Sequence, residues 1–193
     1  MNLILANNLN SKSSVIVRKA TIKDLHGIVD VLTSSFYPPH GLLFWFYPLF
    51  KLGIYEDLRN RLEGNRPYYL CLVATLPDET IIATVEVALR SSAGFSLIGA
   101  KYPYISNLAV KQAYRRQGIA RKLLIRCEQM AWEWGYEQLS LHVLADNYQA
   151  QQLYFSRGYH VEKADLSLED WFFNRPKKLL LVKVPKKIEK GGL

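Results

Sequence analysis

The chain has 193 residues, a formal net charge of +8 and 49% apolar residues, enough for one packed domain. No apolar run is long enough to span a membrane. The four histidines and two cysteines show no metal-ligand spacing, and Cys71 and Cys127, each inside an apolar pattern, read as buried thiols of a reducing compartment rather than a disulfide.

Residues 1–14 are rich in Asn and Ser and read as a loose tail; their apolar stretch is too short, and too poor in basic residues, for a secretory signal, so a cytoplasmic protein is expected. One domain is expected over 15–185. Its first strand is 15–19. Thr21 then caps a helix with apolar positions Ile22, Leu25, Ile28, Val29, Leu32 and Phe36, which Pro38 and Pro39 stop. A dense aromatic stretch, 41–50, leads into further helical spacing at Tyr55, Leu58 and Leu62. Strands are predicted at 68–75 and 81–89, joined by a turn at Pro77-Asp78-Glu79, and a loop at 91–101. The remainder reads as a strand at 104–110, a helix at 119–134 ended by Gly135, a strand at 138–145 and a helix capped by Asp146 or Asn147 and running to Arg157. After that come Gly158, a strand at 159–163, an acidic and aromatic loop at 165–175, and a last strand at 178–184. The tail 186–193 is basic. Such a tail can bind nucleic acid, but no helix-turn-helix, RNP or zinc pattern accompanies it, and a solvated tail is the simpler reading; no specific nucleic-acid partner is expected.

The chain is organised around 108–121. A strand through Leu108, Ala109 and Val110 passes into Arg115-Arg116-Gln117-Gly118-Ile119-Ala120-Arg121 and then into a helix with one apolar face. Gly118 lets a ligand approach the backbone closely, the first N–H groups of the helix lack internal partners, and the arginines add charge. A pyrophosphate suits that combination, although neither a dinucleotide-binding G-x-G-x-x-G nor a P-loop is present.

The order Arg/Gln-x-x-Gly-x-Ala after a strand resembles the acetyl-coenzyme A signature of the GNAT (GCN5-related N-acetyltransferase) superfamily. Downstream, Asn147, Ala150, Leu153, Tyr154 and Gly158 reproduce that family's N-x-x-A-x-x-L-Y-x-x-x-G element. The resemblance covers nearly the whole chain. It implies an α/β fold with a mixed sheet of about seven strands and four helices, in which two central parallel strands splay apart to admit pantetheine beside Leu108 and Val110. It implies acetyl-CoA as co-substrate and no metal. The residues matching its cofactor contacts are Leu108, Ala109, Val110, Arg115, Arg116, Gln117, Gly118, Ile119, Ala120, Arg121, Asn147 and Tyr154.

The implied reaction, attack of an amine on an acetyl thioester, needs a proton acceptor for the amine, a donor for the oxyanion and an acid for the leaving thiolate. Tyr154 matches the family's acid. Histone-type members place a basic glutamate on the central strand, and Tyr104-Ile105-Ser106-Asn107-Leu108 has none. Some N-terminal protein acetyltransferases instead carry a histidine in the pattern L-H-V-x-x-x-N, matched here by Leu141-His142-Val143 and Asn147, together with a tyrosine on the central strand, matched by Tyr104. An imidazole of ordinary basicity accepts a proton near neutral pH. Glu86 is the weaker candidate base. The sequence looks most like the cyanobacterial and plant-plastid branch, which implies acetylation of a protein N-terminus, with lysine as a further acceptor. Two alternatives stand beside this: a small-amine (arylalkylamine) acetyltransferase, suggested by the aromatic stretch, and an acetyl-CoA-binding regulator without turnover. Oligomeric state is not legible.

Overall fold

The computed structural model describes residues 15–36, 47–64, 66–91, 101–165 and 177–185. The expected tails at 1–14 and 186–193, most of the aromatic stretch 41–50, and most of the expected loops at 91–101 and 165–175 lie outside the described residues. Among the described residues are seven strands and four α-helices: β1 (Ile16–Lys19), α1 (Leu25–Phe36), α2 (Tyr47–Glu63), β2 (Tyr69–Thr75), β3 (Ile81–Ser91), β4 (Lys101–Val110), α3 (Ile119–Glu133), β5 (Leu139–Leu144), α4 (Tyr148–Ser156), β6 (His160–Asp165) and β7 (Lys178–Lys183). The strands are ordered β1-β2-β3-β4-β5-β7-β6 in one sheet. It is mixed, with β4 and β5 parallel and the β1/β2, β5/β7 and β6/β7 pairs antiparallel. This is the fold class that the motifs imply.

The chain groups into two compact units, each described here by itself. The first includes β1, α1, α2, Cys71–Thr84 and Leu108–Leu123. In β2 every residue after Tyr69 is buried, the mark of a strand covered on both faces. Helix α1 buries Leu25, Ile28, Val29 and Leu32 of the stripe seen in the sequence and Val31 beside them, while the stripe's outer members, Ile22 and Phe36, are exposed. Thr21 does not cap α1 directly: one 3-10 turn, Ile22–Asp24, comes first. Asp24 is the reason. Its carboxylate accepts from the Thr21 backbone N–H at 2.7 Å and from the Thr21 hydroxyl at 3.0 Å, while Arg18 on β1 grips it with two N–H donors at 2.7 and 2.8 Å. Gly27 lets α1 lie close to β3: a Cβ there would fall 2.7 Å from Ile81 Cδ1.

The second unit includes the described residues of Arg66–Leu70, Val85–Asn107 and the chain from Leu124 onward. β5 pairs along its whole length with β7, from Leu139↔Lys183 to Leu144↔Lys178. Its parallel pairing with β4 registers only Tyr104 with Ser140 and Ile105 with Leu141. Two residues beyond Ile105, Asn107 adopts a left-handed conformation (φ 53°) in the middle of β4, which breaks regular extended geometry there. On α3, Glu128 is 4% exposed and is held by Arg157 at 2.6 Å and Lys183 at 2.7 Å, tying the C-terminal end of α4 and the end of β7 to one carboxylate. Cys71 in the first unit and Cys127 in the second are buried, and neither is in a disulfide.

Several boundaries differ from the sequence reading. β4 starts at Lys101 rather than Tyr104, because Pro103, which cannot donate to a ladder, sits inside the strand where the pattern suggests a loop. β3 runs on to Ser91 through exposed Arg90. β6 covers His160–Asp165, and a 3-10 turn, Gln112–Tyr114, precedes the basic segment. No helix among the described residues is long and apolar enough to cross a membrane.

Arg18 holds the Asp24 carboxyl below the usual carboxylate range, first through its hydrogen bonds, and the Thr21 groups act in the same direction. A depressed folded-state value contributes stability that is present above the unfolded value of about 3.9 and is lost as pH falls through the folded one. Asp24→Ala is therefore expected to cost about 2–3 kcal/mol at pH 7 and to flatten the acid limb of a stability–pH curve, as checked by urea titrations between neutral and strongly acidic pH.

Candidate active site

The second unit brings three of the sequence-predicted residues into one neighbourhood. Tyr104 on β4 is 7% exposed, and its hydroxyl lies 2.8 Å from Nδ1 of His142 on β5. The pairing follows from the parallel register: Ile105 faces Leu141, so Tyr104 and His142 are diagonal neighbours across the two strands. Either partner donates, according to the imidazole tautomer. The ring centroids are 5.6 Å apart. Burial pushes the Tyr104 hydroxyl above its ordinary pKa; the Arg90 charge and the His142 hydrogen bond pull against it. The Arg90 guanidinium lies over the same ring, 3.6 Å from its centroid. Arg90 is the residue that sequence reasoning missed. It sits at the exposed end of β3, beyond where the strand was expected to stop, and no motif includes it.

Tyr154 on α4 is also 7% exposed, and its ring packs edge-on to Tyr159 at 5.8 Å. Burial pushes its hydroxyl up to about 12, and the nearby Tyr104 adds to the shift. The group therefore keeps its proton throughout the neutral range and is available as a donor. Asn147 caps α4, its side-chain oxygen accepting from the Ala150 N–H at 3.1 Å. Gly158 (φ 85°) ends that helix as the motif predicts.

Glu86 on β3 is 1% exposed. Its carboxylate accepts from the Tyr69 hydroxyl at 2.9 Å and from Asn107 Nδ2 at 2.6 Å. The left-handed residue of β4 is thus clamped by a buried charge. Glu86 is occupied in holding a strand, which sets it apart from the half-buried His142.

In the first unit, Ala109 is buried, Leu108 and Val110 are half-buried, and Arg115, Arg116, Gln117 and Gly118 are exposed. Arg116 (φ 65°) and Gly118 (φ 77°) are both left-handed, flanking Gln117. Alternation of this kind turns successive backbone N–H groups toward one side, making an anion-binding concavity. Arg115 Nε donates to the Val110 carbonyl at 3.0 Å, tying the segment back to β4. A Cβ on Gly118 would meet nothing within 4 Å, so the turn is open above its backbone. Ile119 and Ala120 begin α3, where unpaired N–H groups and the helix dipole add to the same preference for an anion. These features fit a phosphate. Arg121, one residue further on, is exposed.

A family model described as "Acetyltransferase (GNAT) family" matches residues 28–159. GCN5-related N-acetyltransferase 10, chloroplastic, of Arabidopsis thaliana is 28% identical over 166 residues, covering 79% of this chain and 64% of that protein. GCN5-related N-acetyltransferase 7, chloroplastic, of the same plant is 36% identical over 162 residues, covering 66% and 59%. The chain thus spans about three-fifths of the length of these curated relatives. Among solved structures, the PaiA N-acetyltransferase of Thermoplasma acidophilum, in complex with coenzyme A, superposes with a TM-score of 0.67 at 21% identity over 89% of this chain and 99% of that one. That likeness is one of fold.

The clamp on Asn107 makes a prediction of its own. Glu86→Ala leaves the Asn107 amide and the Tyr69 hydroxyl without their acceptor, and should destabilise the protein by about 2–4 kcal/mol. Chemical denaturation of parent and variant side by side measures it.

Proposed function

The chain belongs to the GNAT acetyltransferase family, and on that premise we propose that it transfers acetyl from acetyl-CoA to the α-amino group at a protein N-terminus. The observation that carries the acceptor and its base is the hydrogen bond between Tyr104 and His142. Bound acetyl-CoA supplies an activated acetyl thioester; the residues of the chain do the rest. The exposed turn Arg115–Gly118 and the first residues of α3 would hold the pyrophosphate, and the strand residues Leu108, Ala109 and Val110 would offer backbone groups to the pantetheine.

An α-amine has a pKa near 8, so a useful fraction is neutral at pH 7 and a mild base suffices; a lysine amine near 10.4 would need a stronger one. The hydrogen-bonded Tyr104–His142 pair would serve as that base. As the amine nitrogen attacks, its proton passes to the Tyr104 oxygen, while the Tyr104 hydroxyl proton passes to Nδ1 of His142. One N–H bond is broken and one formed, leaving an imidazolium with the tyrosine restored. Tyr154 faces the other end of the reaction as a hydrogen-bond donor to the departing thiolate. Its raised pKa keeps the proton in place until negative charge develops.

Two measurements test this. Tyr154→Phe keeps the ring and its packing but removes the donor, and should lower kcat on the order of a hundredfold with little change in acetyl-CoA affinity. A fully active phenylalanine variant would make Tyr154 a packing residue. For the base, kcat/KM is followed against pH on an α-amine peptide and on one whose amine has a lower pKa. A limb set by His142 stays in place when the substrate changes and disappears in His142→Ala. A limb that tracks the substrate and survives the substitution would mean that the amine loses its proton to water first. A lysine peptide and a small arylalkylamine run beside the α-amine peptide decide among acceptors, and no turnover on any of them would leave a cofactor-binding regulator.

A further inference from the structure

Arg90 has no part in the proton path above, yet its position is defined. An exposed arginine ordinarily samples many conformers; this one is stacked on a ring that is itself fixed by the bond to His142. Stacking of a guanidinium on an aromatic face at a surface is worth about 0.5–1 kcal/mol, enough to favour one arrangement among many. A stacked guanidinium still presents its N–H fork at the edge of its plane, the geometry that pairs with a carboxylate. Among the described residues Arg90 makes no ion pair with Asp or Glu. The result is a positioned cation, with no carboxylate partner among the described residues, beside the hydroxyl proposed to receive the amine proton.

We infer that Arg90 is a specificity-determining residue that favours acceptors carrying an acidic side chain next to the α-amine and disfavours basic ones. This rests on the reading of Tyr104 and His142 as the base for an α-amine. With an acceptor nitrogen at the Tyr104 hydroxyl, a second residue that reaches the face of that ring meets the guanidinium there. A carboxylate there gains a charge-assisted pair, while an ammonium is repelled by a charge that the stacking holds in place. That Arg90 already acts on this neighbourhood is visible in its downward pull on the Tyr104 pKa.

The test uses the full chain, acetyl-CoA and three peptides identical except for Glu, Gln or Lys at the second position. The parent should rank them Glu over Gln over Lys, with about a tenfold span in kcat/KM at low salt, equivalent to 1.4 kcal/mol. The span should narrow as ionic strength rises and the Debye length falls from about 10 Å at 0.1 M toward about 3 Å at 1 M. Arg90→Lys should keep the order with a smaller span, and Arg90→Glu should invert it. Should Arg90→Glu fail to fold, as judged by circular dichroism, Arg90→Gln must flatten the order. Equal use of the three peptides by the parent, a salt-independent span, or an order unchanged in the variants overturns this inference while leaving the α-amine reading intact. A parent that turns over none of the three overturns both.

Discussion

A carboxylate that is 1% exposed is tolerated only where donors surround it, and Glu86 meets that condition by drawing Tyr69 and Asn107 onto its two oxygens. The consequence extends beyond satisfaction of a charge. Asn107 sits in a conformation that costs a non-glycine residue about 1–2 kcal/mol, and the short bond to Glu86 offsets that cost. β4 thus holds one non-extended residue at Asn107, two positions past the last pair it registers with β5, Ile105↔Leu141, while Tyr104 lies within the registered part.

Two kinds of polar burial are at work in the second unit. Glu86 is met by neutral donors and shapes a strand. Glu128 is met by two cations, Arg157 and Lys183, and fastens the ends of α4 and β7. Tyr154 lies one helical turn before Arg157, so the helix that presents the donor is anchored just past it.

Much of this was legible in the sequence. The central part of the α1 stripe, the apolar face of α3, the strand at β2 and the glycines closing α3 and α4 follow from local rules and are found where those rules put them. The L-H-V-x-x-x-N and N-x-x-A-x-x-L-Y patterns marked His142, Asn147 and Tyr154, and the resemblance of the central strand marked Tyr104; Tyr104 and His142 are in contact. The parts that were not legible are tertiary. Nothing in the order of residues says that Glu86, which reads as a candidate base, spends its oxygens on Asn107, or that an asparagine inside a β-pattern turns left-handed. Pro103 hid the start of β4, since a proline inside a strand looks like punctuation. Arg90 lay past the predicted end of β3, so no pattern pointed to the ring on which it stacks.

The two cysteines carry a separate consequence. Cys71 is 1% exposed and lies in the first compact unit; Cys127 is 0% exposed and lies in the second. With only two cysteines in the chain, each unit holds one buried thiol. A thiol-reactive reagent reaches a buried sulfur only when the surrounding structure opens, so its rate of modification counts openings. The protein thus carries a natural reporter in each half. Mass spectrometry of the two cysteine-containing peptides would tell whether the halves open together or one before the other, without any added label.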